Sequence, residues 1–110
     1  MSKQRTYSKY SREAVFLLGQ QIKLGRKQHK WSEANLAERA GISRRTLQKI
    51  EAGEMTTAIG LVFEVATLVG ISLFEQDSQR LAANIDLIQS KITLLPKRIR
   101  EPTKVVDDDF

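Results

Sequence analysis

Four side chains with hydrogen-bond donors fall within six consecutive positions of the chain: Arg44, Arg45, Gln48 and Lys49. An arginine guanidinium presents its N–H groups as a planar fork, which matches two neighbouring acceptors such as those on the edge of guanine. Leu47 and Ile50 lie three positions apart and therefore share one face of a helix. This pattern predicts a short helix that packs through an apolar face and offers donors on the other.

The residues around this helix define its start and its end. Ser43 is a favourable N-cap, because its hydroxyl can accept a hydrogen bond from a backbone N–H of the first turn. Ile42 and Leu47 are spaced as a hydrophobic staple, and Gly53 can adopt the left-handed conformation that ends a helix. We therefore expect a well-fixed helix carried on a turn.

A second short helix, Glu33–Ala40, is predicted directly before this turn. Ser32 is its N-cap, Trp31 and Leu36 are staple partners, and Gly41 ends it. In a helix-turn-helix the second helix enters the DNA major groove, and its N-terminal side chains contact base edges. In this chain those N-terminal side chains are the two arginines.

Size and charge limit the other classes of function. With 110 residues, 41% of them hydrophobic, the chain can form one modest domain plus arms. The net charge of +5 favours an anionic partner, and the lack of aromatic platforms favours duplex DNA over single-stranded RNA. The first residues include no apolar run long enough for the core of a signal peptide, and no segment is as apolar and as long as a membrane span. We expect a soluble, cytoplasmic protein with no membrane partner.

Catalysis and metal binding are not expected. The chain has no cysteine and one histidine. No nucleophilic residue is paired with a general base at a spacing typical of a catalytic motif. His29 has no set of candidate ligands around it, so the sequence predicts no metal and no other cofactor.

The predicted DNA-binding domain spans residues 11–76. Before it, residues 1–10 predict a flexible basic arm, either a solvated terminus or an arm that follows the DNA backbone or minor groove. Apolar residues at helical spacing predict a first helix over about residues 11–29 and a fourth over about residues 57–69. Arg26 falls where the first helix approaches the core, and a buried arginine needs a carboxylate partner.

A helical segment at residues 77–95 carries an apolar stripe outside this domain. Ser72 and Glu75 match a capping box that opens the helical stretch, which can break near Asp77 and Ser78. Four apolar residues alternate steps of four and three: Leu81, Ile85, Ile88 and Ile92. Such a seam either faces a second copy of the chain or packs back on the same domain, and we favour the dimer contact.

The tail, residues 96–110, has too little apolar surface to fold alone. Its last six residues combine two valines, three carboxylates and an aromatic ring: Val105, Val106, Asp107, Asp108, Asp109 and Phe110. The tail is either an extended, disordered end or a peptide that docks on a partner.

Together these motifs resemble the lambda-repressor-like, or Cro, helix-turn-helix family over about residues 14–75. The resemblance rests on Leu36-Ala37 with Gly41 downstream, and on residues 43–47, 50–53 and 69–71. It implies an all-α, five-helix domain that binds double-stranded operator DNA as a homodimer.

The same resemblance implies roles for individual residues. Base contacts are expected from Arg44, Arg45, Gln48 and Lys49. Contacts with the DNA backbone are expected from Lys27, Lys30, Ser43 and Thr46. A core ion pair is expected between Arg26 and Glu51. The chain departs from the family at Glu33, where glutamine often helps hold a phosphate, and at Glu54, where a cation is frequent. Because of these departures, we expect the contacts with the DNA backbone to come more from the basic arm and from Lys27 and Lys30.

The region after the domain resembles that of HipB-like antitoxins, repressors of this family that bind a HipA-like kinase toxin. The similarity lies in residues 94–98 and in the Val-Asp-Asp-Asp-Phe ending. It implies an antitoxin that represses its own operon and binds the toxin. The alternative is a free-standing or phage-type transcriptional regulator without a toxin partner.

Overall fold

The computed structural model describes residues 5–74 and 77–101, and within these ranges the chain forms five α-helices and no strand. The helices are α1 (Lys9–Gln28), α2 (Glu33–Ala40), α3 (Arg44–Glu51), α4 (Ile59–Leu68) and α5 (Ser78–Thr93). The expected all-α, five-helix fold is confirmed. The chain divides into two compact units, residues 1–73 with α1 to α4 and residues 74–110 with α5.

The helix α1 begins two residues before its predicted start and extends into the predicted basic arm. The Ser8 hydroxyl oxygen accepts a hydrogen bond from the backbone N–H of Ser11 at 3.1 Å, so Ser8 is the N-cap. Because an N-cap satisfies a donor that the helix itself cannot, it fixes where the first turn begins. Lys9 and Tyr10 therefore belong to α1.

The core of the first unit is built from the apolar faces of its helices. Its buried apolar residues are Ile22, Leu36, Ala37, Leu47, Ile50, Val65, Ala66 and Val69. Full burial of each leucine, isoleucine or valine side chain contributes about 1.5–3 kcal/mol. Because α3 buries Leu47 and Ile50, its rotation about its own axis is fixed, and so is the set of side chains left outside.

The backbones of α1 and α3 are in close contact at two glycines. A Cβ atom on Gly19 would lie 2.6 Å from the carbonyl oxygen of Ile50. A Cβ atom on Gly53 would lie 2.7 Å from the Cα of Phe16, and Gly53 also has a φ of +78°. A side chain at either position would push α3 away from α1, so these glycines set the close approach of the two helices.

The helix α5 has a different N-cap from the one that the capping box predicts. Residues 71–74 are not helical, and α5 starts at Ser78. The Asp77 carboxylate accepts a hydrogen bond from the backbone N–H of Gln79 at 2.9 Å. Serine and aspartate are about equally good N-caps, but only the carboxylate also interacts favourably with the helix dipole, which favours the start at Ser78.

None of the described helices is both long enough and apolar enough to cross a membrane. In the two described ranges, no three His, Cys, Asp or Glu side chains are grouped so that they could hold a metal ion.

Candidate nucleic-acid interface

The helices α2 and α3 are joined by a tight turn whose caps are those that the sequence predicts. Gly41 ends α2 with a φ of +71°. The Ser43 hydroxyl oxygen accepts a hydrogen bond from the backbone N–H of Thr46 at 3.0 Å, and Ser32 caps α2 through Asn35 at the same distance. The result is helix, turn, helix, with the start of α3 firmly defined.

The helix α3 has one buried face and one exposed face. Leu47 is fully buried and Ile50 is 3% exposed. The four side chains expected to contact bases are exposed or half-buried: Arg44, Arg45, Gln48 and Lys49. A helix with its side chains is about 10–12 Å across and the major groove is about 12 Å wide, so a face of this kind fits the groove.

Two of these side chains are held by Glu33, the first residue of α2. Glu33 Oε1 accepts a hydrogen bond from Gln48 Nε2 at 2.9 Å and one from Arg44 Nη2 at 3.3 Å. These two hydrogen bonds lower the pKa of the Glu33 carboxyl, and the one from Gln48 has the larger effect. The carboxyl is therefore ionised at neutral pH. The family resemblance marks Glu33 as a departure, but its contacts with Gln48 and Arg44 join different helices, which no local spacing rule predicts.

Arg26 and Glu51 form a buried, bidentate ion pair between α1 and α3. Nε donates to Oε2 at 2.7 Å and Nη2 donates to Oε1 at 3.1 Å. A further guanidinium nitrogen, Nη1, donates to the carbonyl oxygen of Trp31 at 3.1 Å. The hydrogen bonds with Glu51 raise the pKa of Arg26 more than burial lowers it. The last residue of α3 is thereby tied to α1.

Lys30 occupies a position at which the other helices of the first unit have glycine. The residues with positive φ just after α2, α3 and α4 are Gly41, Gly53 and Gly70. After α1 this residue is Lys30, with a φ of +61°. The backbone N–H of Lys30 donates to the carbonyl oxygen of Lys27 at 2.9 Å, and the backbone N–H of Trp31 donates to the carbonyl oxygen of Arg26 at 3.1 Å. These two hydrogen bonds form a Schellman motif. The left-handed conformation costs a residue with a Cβ about 1–2 kcal/mol.

The other residues expected to contact the DNA backbone lie around the ends of the same helices. Lys27 and Lys30 are exposed at the end of α1. The Ser43 hydroxyl donates to Thr46 Oγ1 at 3.0 Å, which leaves the Thr46 hydroxyl hydrogen for another acceptor. A surface cavity between the end of α1 and the start of α2 is lined by Lys23, Lys27, Glu33 and Arg44, among others.

The residues expected to form the dimer contact are exposed in the second unit. Leu81 is 38%, Ile85 51%, Ile88 53% and Ile92 62% exposed. The first three of them line an apolar groove together with Phe74, Asn84 and Gln89. The six residues of the expected partner-binding tail, Val105 to Phe110, lie outside the described residues.

Parts of the chain are similar to known proteins. The model of the family HTH_3, described as helix-turn-helix, matches residues 22–76. The chain is similar to the protein in a solved HipB–O2 20mer complex, with 28% identity and a TM-score of 0.50 over 69% of this chain and 97% of that one. It is also similar to a solved structure named MDT Protein, with 25% identity and a TM-score of 0.50 over 68% and 97% of the two chains. No curated protein sequence matches the chain.

Proposed function

The chain belongs to the helix-turn-helix family HTH_3, the family of lambda-repressor-like and Cro-like regulators, and we propose that it is a sequence-specific, dimeric transcriptional repressor that acts in the cytoplasm. The observation that carries this proposal is the exposed donor face of α3. Buried Leu47 and Ile50 and the Arg26–Glu51 pair hold this face in one orientation. A rigid helix that presents donors outward is suited to the major groove.

The side chains on this face match the known chemistry of base recognition. Arg44 and Arg45 can each donate two hydrogen bonds to O6 and N7 of a guanine. Gln48 can pair with N6 and N7 of an adenine, and Lys49 can donate to guanine. Each good bidentate contact contributes about 1–3 kcal/mol of discrimination between bases. In this proposal these four residues specify the operator.

Contacts with the DNA backbone come from the ends of α1 and α3. Lys27 and Lys30 supply cations, and Ser43 and Thr46 supply hydroxyls near the start of α3. The conformation of Lys30 supports a functional role, because a residue held at an unfavourable φ is often found at a functional site. These contacts position the protein on the duplex and do not themselves select a sequence.

The proposal that the protein is a dimer is supported by the exposed stripe on α5. Four branched apolar side chains at seam spacing, all at least 38% exposed, form a surface that a second copy of the chain can cover: Leu81, Ile85, Ile88 and Ile92. Each of the two copies of α3 would then address one half-site of the operator.

The finer proposal is an antitoxin that represses its operon and binds a HipA-like kinase toxin. It is supported by the similarity to HipB, which was solved with the 20mer O2. The expected contact is the tail from Val105 to Phe110, where one aromatic ring follows three carboxylates. The alternative is a free-standing or phage-type regulator that binds DNA in the same way and has no toxin partner.

DNA binding is tested by competition between nucleic acids. The protein, bound to a labelled duplex from upstream of its own gene, is challenged with unlabelled duplex, random-sequence duplex and single-stranded RNA. We expect the cognate duplex to compete best. Equal competition by RNA would point to general charge attraction and would contradict the proposal.

The antitoxin role is tested by purifying the protein from its native operon and identifying what accompanies it. A kinase-like partner is expected. A variant that ends at Leu95 should keep its base preference and bind that partner less well than the full chain. If the shortened protein captured the partner equally well, the tail would not be the contact.

A further inference from the structure

Glu33 links α2 to the outer face of α3. Its Oε1 atom accepts hydrogen bonds from Gln48 at 2.9 Å and from Arg44 at 3.3 Å. Both donors belong to the proposed base-contacting set, and both remain exposed. The Glu33 side chain is itself 31% exposed, so the three groups form a small network at the surface that DNA would approach.

We propose that Glu33 is a specificity-determining residue, which orients Gln48 and Arg44 for base contact and weakens binding to DNA of unrelated sequence. This inference rests on the proposed role of α3 in DNA binding. Glu33 itself is a positioning residue, since it acts through the two side chains that it holds.

The orientation of the Gln48 amide follows from the chemistry of its partner. An ionised carboxylate only accepts hydrogen bonds, so it must face the amide nitrogen and not the amide oxygen. One N–H of Gln48 then points to Glu33, and the second N–H and Oε1 remain available together. These are the two groups that a glutamine uses to pair with adenine. A glutamine at position 33 could bond either the nitrogen or the oxygen of the Gln48 amide, because it carries both an acceptor and a donor. The amide would then no longer be held in a single orientation.

The effect on Arg44 is electrostatic. Binding to DNA of any sequence depends on the neutralisation of phosphates by lysine and arginine. Glu33 partly neutralises Arg44 and places a negative charge beside Lys23 and Lys27 in the same surface cavity. A phosphate is therefore attracted less strongly at this point, and binding depends more on the base contacts.

The test compares Glu33→Gln with Glu38→Gln. Glu38 is an exposed carboxylate on the same helix, and no side chain of α3 is bonded to its carboxylate in the described structure. Affinities are measured for three duplexes: the operator, a random sequence, and an operator altered at one base pair. The altered base pair is the one at which Gln48→Ala loses its base preference. We expect Glu33→Gln to raise affinity for random duplex roughly two- to fivefold, the range of an exposed ion pair, and to lower the operator-to-random ratio. Glu38→Gln should leave this ratio unchanged.

A measurement without DNA reports the contact itself. By NMR the pKa of the Glu33 carboxyl should lie below its ordinary value and should rise in Gln48→Ala. In the Gln48→Ala background, Glu33→Gln should cause no further loss of discrimination at the Gln48 base pair. If wild type prefers an operator and Glu33→Gln keeps the full ratio, the inference is wrong while the proposed function stands. If wild type shows no operator preference, both fail.

Discussion

Arg26 and Glu51 join the end of α1 to the end of α3 through hydrogen bonds of 2.7 and 3.1 Å, and both side chains are at most 7% exposed. Because Ser43 caps the other end of α3, the helix is fixed at both ends. The side chains on its outer face take no part in these inner contacts. Stability and DNA binding can therefore be changed separately by substitutions on the two faces of α3.

Glu51→Ala should destabilise the fold by about 3–5 kcal/mol, because it leaves a buried guanidinium without its carboxylate. Chemical denaturation followed by circular dichroism measures this loss. Glu54→Ala, which removes an exposed carboxylate three positions later, should change stability by less than about 0.5 kcal/mol. A Glu51→Ala protein that unfolds like wild type would show that the pair contributes nothing.

The pH dependence of this pair has a definite sign. The hydrogen bonds with Glu51 raise the pKa of Arg26 in the folded state. The stability that this shift contributes is complete below the unfolded-state pKa, and it is lost only as pH rises through the folded-state pKa. Arginine titrates above the alkaline range in which proteins are normally studied. The stability difference between wild type and Glu51→Ala should therefore stay constant from about pH 7 to pH 10.

Arg44→Ala and Arg45→Ala should each weaken operator binding by about 1–3 kcal/mol and relax the preference at one base pair, as expected for a lost bidentate contact. Fluorescence anisotropy with operator and random duplex measures both effects. Arg12→Ala removes the same charge from an exposed position on α1 and should not relax any base preference. Equal losses on operator and random DNA would mean that these arginines contact only phosphates.

Lys30→Gly should raise the free energy of unfolding by about 1 kcal/mol, because glycine adopts the left-handed conformation without strain. It should also weaken DNA binding and reduce the slope of log affinity against log salt by about 1. Lys30→Ala removes the cation and keeps the strain, so it should lose affinity without gaining stability. Unchanged affinity in both variants would place Lys30 away from the DNA.

Replacing Ile85 and Ile88 together by lysine should convert a dimer to a monomer, because two charges cannot be buried in an apolar seam. Analytical sedimentation measures the change, and operator affinity should fall as the two half-sites become uncoupled. Leu87→Lys is the control: Leu87 is as exposed as Ile88 at 53% but lies about 100° around the helix. A double mutant that stays dimeric would move the interface elsewhere.

The parts of the fold that follow local rules could be predicted from the sequence. Ser32 and Ser43 cap helices because N-capping depends on residues only a few positions apart. Leu47 and Ile50 are buried because helical periodicity places them on one face. The outer face of α3 follows directly from these facts.

Features that depend on tertiary contacts or on competing local signals could not be predicted from the sequence. The contact of Glu33 with Gln48 requires the α2–α3 geometry, and the left-handed Lys30 breaks the preference for glycine at such a position. At α5, two possible caps lie five positions apart, and Asp77 is the one the helix uses, not Ser72. The roles in base contact and dimerisation stay predictions, since they depend on molecules other than this chain.

The central claim, that α3 selects a DNA sequence, is tested most directly by selection from a library of random duplexes of about three helical turns, long enough for two half-sites. The bound fraction is sequenced for wild type and for Arg45→Ala. We expect wild type to enrich an inverted repeat, and Arg45→Ala to lose its preference at one position in each half-site while keeping the others. Enrichment of no sequence by wild type, or of an identical motif by both proteins, would contradict the claim.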